Sequence, residues 1–327
     1  MKNTTGLRIV SLIASATEIV FALGLGDRVV GRSHECDYPA SVKDLPVCTS
    51  PKFNVDGTSY EIDQRVRAVL QEALSVYRVD SQILAELQPT HIITQSQCEV
   101  CAVSLRDVEA AACSLISSQP QIVSLQPDSL ADIWTDVKRV GEALCVPERA
   151  AQLLADMDGR IDNIRQRVAH VKGPSPDSAR PSVACIEWID PLMAAGNWVP
   201  ELVDIAGGTN LFGLAGAHSP ALKFADLQAA DPDLIIVMPC GFDIARTCQD
   251  MHFLSQQPGW ESLKAVQAGR VYVADGNQYF NRPGPRVVES LEILAELIHP
   301  ELFSFGHQGW GWIEGTACGA KLNPARA

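Results

Sequence analysis

A long helix predicted from Pro147 to Val171 limits the architectures open to this chain. About 25 residues of good helix formers follow one another with glycine only at Gly159, and apolar side chains recur at the spacing of one helix face. A helix of that length spans roughly 35–40 Å, and the proline-rich stretch 173–181 ends it. We therefore predict a domain junction here and four parts: an N-terminal α/β lobe 1–146, a bridging helix 147–172, a C-terminal α/β lobe 173–303, and an unassigned tail 304–327.

Short apolar strands alternate with helices on both sides of that segment. The runs that favour strands lie at 7–12, 28–31, 91–94, 121–125, 182–186, 234–237 and 271–274. Ser15 with Glu18, and Ser129 further on, are predicted to begin helices as N-caps. This alternation predicts the α/β class, with two Rossmann-like lobes whose sheets are parallel.

Composition and charge exclude several classes of function. Lys and Arg number 26 against 39 Asp and Glu, so the net charge is −13. That balance opposes both nucleic-acid binding and attraction to anionic membranes. The most apolar stretch begins at Ile9 and is broken by Glu18, short of a membrane span or a secretory signal. We therefore predict a protein that is not membrane-embedded, with a cytoplasmic location and a periplasmic one as the alternative. Its ten cysteines would then be thiols or metal ligands rather than disulfides.

Aromatic, amide and thiol side chains are concentrated in the loops that follow the predicted strands. Ligands of open α/β sheets bind outside the carboxyl ends of the strands, so these loops predict a ligand cleft. The candidate ligand-binding residues are Tyr38, His34, Gln95, Gln97, Trp188, Asn197, Trp198, Phe242, Tyr279, Phe280, Asn281 and Arg282.

The same loops carry a second set of residues that suggests a metal ion. Cys98 and Cys101 have the spacing of half a zinc site, or of a redox pair, or of two inert thiols. A composite zinc site would combine His34, Cys36, Cys98, Cys101 and Cys240.

The sequence contains none of the common catalytic or phosphate-binding motifs. A G-x-S-x-G elbow, a Walker loop and an H-E-x-x-H helix are all missing. No residue is therefore nominated as a nucleophile with its base, and a binding protein is favoured over an enzyme.

The layout resembles the substrate-binding proteins of metal-chelate ABC importers, and within them the vitamin B12-binding proteins. The segments that carry this resemblance lie between residues 8 and 298, and they are 8–31, Asp37-Tyr-Pro39, 206–212, 231–236 and 279–286. The resemblance implies the class III periplasmic-binding-protein fold, with two lobes bridged by one long helix and the ligand held between them. It implies aromatic ligand contacts at Tyr38, Tyr279 and Phe280, and a further contact at Trp188 or Trp198.

The resemblance also implies docking to a membrane permease through one acidic residue in each lobe. Asp226 matches the position in the second lobe, whereas the first lobe has Ser81 and Gln82 there. That difference puts docking to an ABC permease in doubt.

Three hypotheses for function follow. The first is a non-catalytic protein that binds cobalamin or a related corrinoid, a small-molecule metal chelate, by apolar stacking and amide hydrogen bonds, with His34 or a cysteine as an axial ligand of cobalt. The second is a metal-ion binding protein that uses the Cys/His cluster, with zinc as its ion. The third is an enzyme that acts on a bound tetrapyrrole through a thiol of lowered pKa.

Overall fold

The computed structural model describes residues 6–71, 76–96, 108–109, 118–171 and 180–318. The chain divides into two compact units. The first unit contains Met1–Gly57, Glu61–Asp156 and Pro283–Pro285, and the second contains Thr58–Tyr60, Met157–Arg282 and Arg286–Ala327. The division falls inside the long helix, between Asp156 and Met157, so the four-part division of the chain stays a prediction.

The first unit is built on a sheet of four parallel strands. Across the sheet they are β2 (Val29–Arg32), β1 (Ile9–Ser11), β5 (His91–Gln95) and β6 (Gln121–Leu125). A separate antiparallel pair joins β3 (Thr49–Pro51) to β4 (Tyr77–Val79). The helices are α1 (Ala14–Ala22), α2 (Ser59–Gln71), α3 (Ser81–Leu87) and α4 (Leu130–Ala143).

One of the two predicted helix caps in this unit is confirmed and the other is wrong. Ser129 accepts the backbone N–H of Asp132 while Asp132 accepts that of Ser129, a complete capping box. Helix α1 instead begins after Ile13, whose side chain offers no acceptor, and Ser15 lies buried inside the helix. Because α1 follows a buried strand directly, apolar packing rather than a cap decides where it starts.

The predicted long helix is confirmed as α5, which spans Pro147–Val171. Its buried side chains include Ala150, Leu154, Met157 and Ile161, at steps of three or four residues. That spacing is the stripe expected of a helix packed along one face.

The second unit has a larger, mixed sheet. Its main order is β12 (Trp312–Glu314), β11 (Val271–Ala274), β10 (Leu234–Val237), β7 (Ser182–Trp188) and β8 (Met193–Ala194), while β9 (Thr209–Asn210) also pairs with β7. Strands β7, β10 and β11 are parallel, and β8 and β12 run antiparallel to their neighbours. The helices are α6 (Val199–Ile205), α7 (Phe224–Ala230), α8 (Ile244–Ser255), α9 (Lys264–Gln267) and α10 (Val287–Ile298).

The C-terminal segment that the sequence left unassigned belongs to the second unit, and the structure describes it to Cys318. It supplies β12, which pairs antiparallel with β11. A disulfide between Cys248 in α8 and Cys318 ties it to the unit. The expectation that the cysteines would not form disulfides is therefore wrong.

Apolar side chains pack on both faces of each parallel sheet. All four residues of β10 are fully buried, as expected for a strand covered by helices on both faces. None of the helices that the structure describes is long and apolar enough to cross a bilayer. The loops beyond the carboxyl ends of these strands are where an α/β fold binds its ligand.

Candidate ligand-binding site

In the first unit, a chain of hydroxyl groups fixes His34 just beyond the end of β2. The Oγ1 atom of Thr49 lies 3.0 Å from the backbone nitrogen of His34 and 2.7 Å from its Nδ1. Thr49 Oγ1 also lies 2.9 Å from Ser33 Oγ. Because the hydroxyl of Thr49 engages Nδ1, Nε2 is the ring nitrogen that can bind a metal.

The surroundings of His34 keep the imidazole neutral. Burial lowers the pKa of His34, and the positive charge of Arg32 lowers this pKa further. The Arg32 guanidinium is held close by the backbone carbonyls of Ser33 and Cys36, at 3.0 and 3.2 Å. The Tyr77 ring packs beside the imidazole, with ring centres 5.0 Å apart. A neutral imidazole with one nitrogen hydrogen-bonded is the form that coordinates a metal through the other.

The other candidates of the first unit lie in contrasting surroundings. Tyr38 is 46% exposed and precedes a cis peptide bond to Pro39. Gln95 is buried at the end of β5. Gln97, Cys98 and Cys101 lie outside the described residues. Tyr38 is therefore the aromatic candidate of this unit with surface to offer a ligand.

In the second unit, Trp188 and Phe242 come together beyond the ends of β7 and β10. Their ring centres are 5.1 Å apart with the planes tilted by 48°. The Arg246 guanidinium lies 4.1 Å from the centre of the Phe242 ring, within the range of a cation–π contact. Cys240 is half-buried between these elements, and its backbone N–H donates to the Glu187 carbonyl at 3.1 Å. The structure thus brings together two aromatic candidates from different loops.

The loop before α6 places its two candidates differently. Asn197 has a φ of 51°, in the left-handed region that asparagine tolerates. Trp198 is buried at the start of α6, which leaves little of its ring for a ligand.

The loop after β11 is held by buried polar groups. The Asp275 carboxylate accepts the Gln278 N–H at 2.8 Å, and burial raises the pKa of Asp275 to about 6. Arg282 and Arg286 are buried too, and they donate to Asn277 Oδ1 and Gln278 Oε1 at 3.1 and 3.2 Å. These contacts fix the loop in one conformation.

The aromatic candidates of this loop face inward. Tyr279 and Phe280 are 3% and 1% exposed. The Arg286 guanidinium lies 5.3 Å from the centre of the Tyr279 ring. Asn281 donates to the Gly276 carbonyl at 2.9 Å. The loop thus presents little aromatic surface of its own.

Sequence reasoning missed Glu187, which lies next to Trp188 at the end of β7. Burial raises the pKa of Glu187, while Ser219 and the Gly196 N–H donate to its carboxylate and oppose the shift. An acidic residue inside an otherwise apolar strand is a signal that identifies such a position from sequence.

The composite metal site finds no support. Among the ranges that the structure describes, no group of three or more His, Cys, Asp or Glu side chains is placed to hold a metal ion. Cys36 is buried, with its sulfur 3.0 Å from Thr17 Oγ1, and Cys240 belongs to the second unit. A zinc site built from His34, Cys36 and Cys240 is therefore not present among these residues.

The proposed docking positions lie on two short helices. Asp226 is exposed in the first turn of α7, where it accepts the Lys223 N–H at 3.2 Å. In the first unit, Ser81 and Gln82 open α3, and the neighbouring carboxylate of Asp80 caps that helix.

The family profile described as periplasmic binding protein matches residues 9–277. The chain belongs to this family. The fold of this periplasmic binding protein is the class III α/β fold predicted from the sequence.

Three proteins show what this periplasmic binding protein is similar to within the family and the fold. The uncharacterised ABC transporter substrate-binding lipoprotein YvrC of Bacillus subtilis is 23% identical over 90% of this chain and 81% of its own length. A vitamin B12-binding protein of Vibrio vulnificus is 22% identical over 88% and 89%. The solved periplasmic heme-binding protein RhuT of Roseiflexus superposes with a TM-score of 0.66 at 23% identity, over 90% of this chain and 98% of that protein.

The predicted cytoplasmic location is wrong. The family and these relatives are periplasmic or lipoprotein binding proteins, which work outside the cytoplasm. The Cys248–Cys318 disulfide agrees with this correction, because disulfides persist in oxidising compartments.

Proposed function

We propose that this periplasmic binding protein delivers a metal chelate with a large planar ring to an ABC importer. A corrinoid of the cobalamin type is the first candidate, and a heme-like tetrapyrrole is the second. A vitamin B12-binding relative supports the first and a heme-binding structural relative supports the second. The permease would dock at the exposed Asp226 and at the start of α3.

The observation that carries this proposal is the contact of Thr49 with Nδ1 of His34. A planar chelate uses its ring atoms for four positions around the metal, which leaves the axial positions for a protein ligand. Thr49 engages Nδ1 at 2.7 Å, so Nε2 is the nitrogen that can coordinate the metal. Glu35 Oε1 approaches Nε2 only to 3.9 Å, beyond hydrogen-bond distance. We therefore propose Nε2 of His34 as an axial ligand.

The remaining candidates would hold the ring and its substituents. The exposed ring of Tyr38 in the first unit offers aromatic surface, as does the half-buried ring of Trp188, which packs on Phe242 in the second. Each such contact contributes about 0.5–1.5 kcal/mol beyond the burial of area. Buried Gln95 and the amide-rich loop after β11 would supply polar contacts to the substituents.

Calorimetric titration with aquacobalamin and, separately, with hemin tests the proposal. We expect one-to-one binding of at least one chelate, with a change in its visible absorption spectrum on binding. His34→Ala should abolish the spectral change and weaken binding about tenfold, the loss of about 1.4 kcal/mol. His170→Ala is the matched control, because His170 is exposed on α5 and bonds only to its own helix.

Three outcomes would contradict the proposal in whole or in part. Failure of the wild-type protein to bind either chelate would reject the function itself. A wild-type spectral change that persists in His34→Ala would reject the axial ligand and keep the chelate. Recovery of a chemically altered chelate would favour an enzyme instead.

A further inference from the structure

The turn at residues 307–311 lies at the ligand-binding edge of the second unit. Strand β12 runs antiparallel to β11, with Trp312 opposite Ala274, so β12 begins where β11 ends. The N–H of Asp275, the first residue of the loop after β11, donates to the Gly311 carbonyl at 3.0 Å. The turn is therefore bonded to the candidate ligand loop and lies beside it. The family profile ends at residue 277, so it assigns this turn no role.

Trp310 in this turn presents the aromatic surface that the loop itself lacks. Its side chain is 40% exposed, whereas the Tyr279 ring next to it is 3% exposed. The two ring centres are 5.9 Å apart in an edge-to-face arrangement. Tyr279 therefore lies beneath Trp310 as its support, and the indole is the ring that a ligand at this edge would meet.

The indole is already held in one orientation. Its Nε1–H donates to the Gly306 carbonyl at 2.7 Å, and the His307 ring lies 5.0 Å away. A side chain fixed in this way loses little conformational entropy when a ligand packs on it. An exposed apolar ring that is fixed rather than mobile is what a binding surface requires.

Buried charged groups anchor the whole turn. The Glu296 carboxylate in α10 accepts the N–H groups of Phe305 and Gly306, the latter at 2.7 Å, and the Trp312 indole N–H, also at 2.7 Å. Glu292 accepts from His307 Nε2 at 3.0 Å. A buried carboxylate is costly unless it is hydrogen-bonded, so these contacts specify one conformation of the turn.

We propose that Trp310 is a ligand-contact residue of this protein, whose indole packs on the ring of the bound chelate while Tyr279 supports it. This inference rests on the proposed function, since it takes the chelate as the ligand. It assigns the aromatic contact of this edge to the C-terminal segment rather than to Tyr279 and Phe280, the residues that the family resemblance indicates.

The test compares dissociation constants for aquacobalamin and hemin, measured by calorimetry on the full chain. Trp310→Ala should weaken binding about tenfold, and Trp310→Phe about threefold or less, because phenylalanine keeps an aromatic face. Phe305→Ala is the control, since Phe305 is 37% exposed in the same segment and stacks on Phe303. It should leave affinity within about twofold of wild type.

A second measurement does not depend on how the alanine variant folds. In protein labelled with 5-fluorotryptophan, the fluorine resonance that is missing from Trp310→Phe belongs to Trp310. Chelate binding should shift or broaden that resonance, because packing of the macrocycle on the indole changes its magnetic surroundings. An unshifted resonance together with wild-type affinity in Trp310→Ala would overturn the inference while the proposed function stands. A wild-type protein that binds neither chelate would overturn both.

Discussion

In the first unit the neutral hydroxyls of Thr49 and Ser33 fix His34, whereas in the second unit buried charged groups fix Tyr279 and the turn that carries Trp310. The hydroxyl chain engages one ring nitrogen and leaves the other for a ligand. The charged network instead holds aromatic rings in position. The two units thus fix different chemical groups, a nitrogen donor in the first and aromatic rings in the second.

The largest expected effect concerns the disulfide bond of the second unit. The Cys248–Cys318 disulfide closes a sequence separation of 70 residues. Chain entropy predicts that the double variant Cys248→Ser/Cys318→Ser loses about 4 kcal/mol of unfolding free energy. Urea unfolding measures the loss. Hydrogen exchange should show weaker protection in β11 and β12 and unchanged protection in β5.

A reducing agent gives the matching control. Burial raises the pKa of Cys48 and Cys185 to about 12, so these thiols are poor nucleophiles. A reductant that opens the Cys248–Cys318 disulfide should lower the unfolding free energy of the wild-type protein and leave that of the double variant unchanged. Equal loss of protection in both units would show that the two networks are not independent.

Part of the structure that carries these two networks could be predicted from the sequence. The repeat of apolar residues from Ala150 to Ile161 predicted α5, because helix periodicity is a local property. The candidate position of His34 followed from its place after a strand. Which of its ring nitrogens a hydroxyl engages did not follow, because Thr49 is 15 residues away and Tyr77 lies farther along the chain.

The charged network of the second unit could not be predicted from the sequence, for a related reason. Strand β12 has three residues, too few for a periodic pattern, and its partner β11 lies about 40 residues earlier. In the sequence, Glu296 looks like a surface acidic residue of α10, because the turn that covers it is not evident there. Trp310 and Trp312 were visible as two tryptophans in a glycine-rich segment, but nothing local shows that one is exposed and the other buried.

The next largest effect is a dependence of the unfolding free energy on pH, which arises in the second unit. The pKa of Asp275 is raised from 3.8 to about 6 by burial, against the opposing charges of Arg282 and Arg286. Below pH 3.8 the carboxyl group is protonated in both the folded and unfolded states. Between pH 3.8 and 6 only the unfolded state releases the proton, so rising pH lowers stability. The unfolding free energy falls by at most about 3 kcal/mol, and the fall is complete above pH 6.

Asp275→Asn isolates this contribution from other titrating groups. Asparagine keeps an oxygen that accepts the Gln278 N–H but has no proton to lose at these pH values. Unfolding free energies measured from pH 4 to pH 7 should fall more steeply for wild type than for the variant. Parallel curves would mean that Asp275 ionises in the folded state as easily as in the unfolded chain.

The smallest expected effect tests the hydroxyl chain of the first unit. Thr49→Val keeps the shape of the side chain but removes the oxygen that lies 2.7 Å from His34 Nδ1. When Nε2 binds a metal, Nδ1 carries the ring proton, and this oxygen is its acceptor. Without the acceptor, chelate affinity should fall about two- to threefold. The spectral change on binding should survive, because Nε2 is still present.

Thr135→Val is the matched control, since Thr135 is exposed on α4 and bonds to the Ala131 carbonyl of its own helix. A loss of chelate affinity in Thr49→Val as large as in His34→Ala, without a fall in melting temperature, would mean that the hydroxyl contacts the chelate directly. The same loss of affinity with a fall in melting temperature would mean that Thr49 supports the loop after β2. In either case the contact at Nδ1 would not be what holds the donor atom of the first unit. The contrast with the second unit would then lie in which residues contact the ligand rather than in how they are fixed.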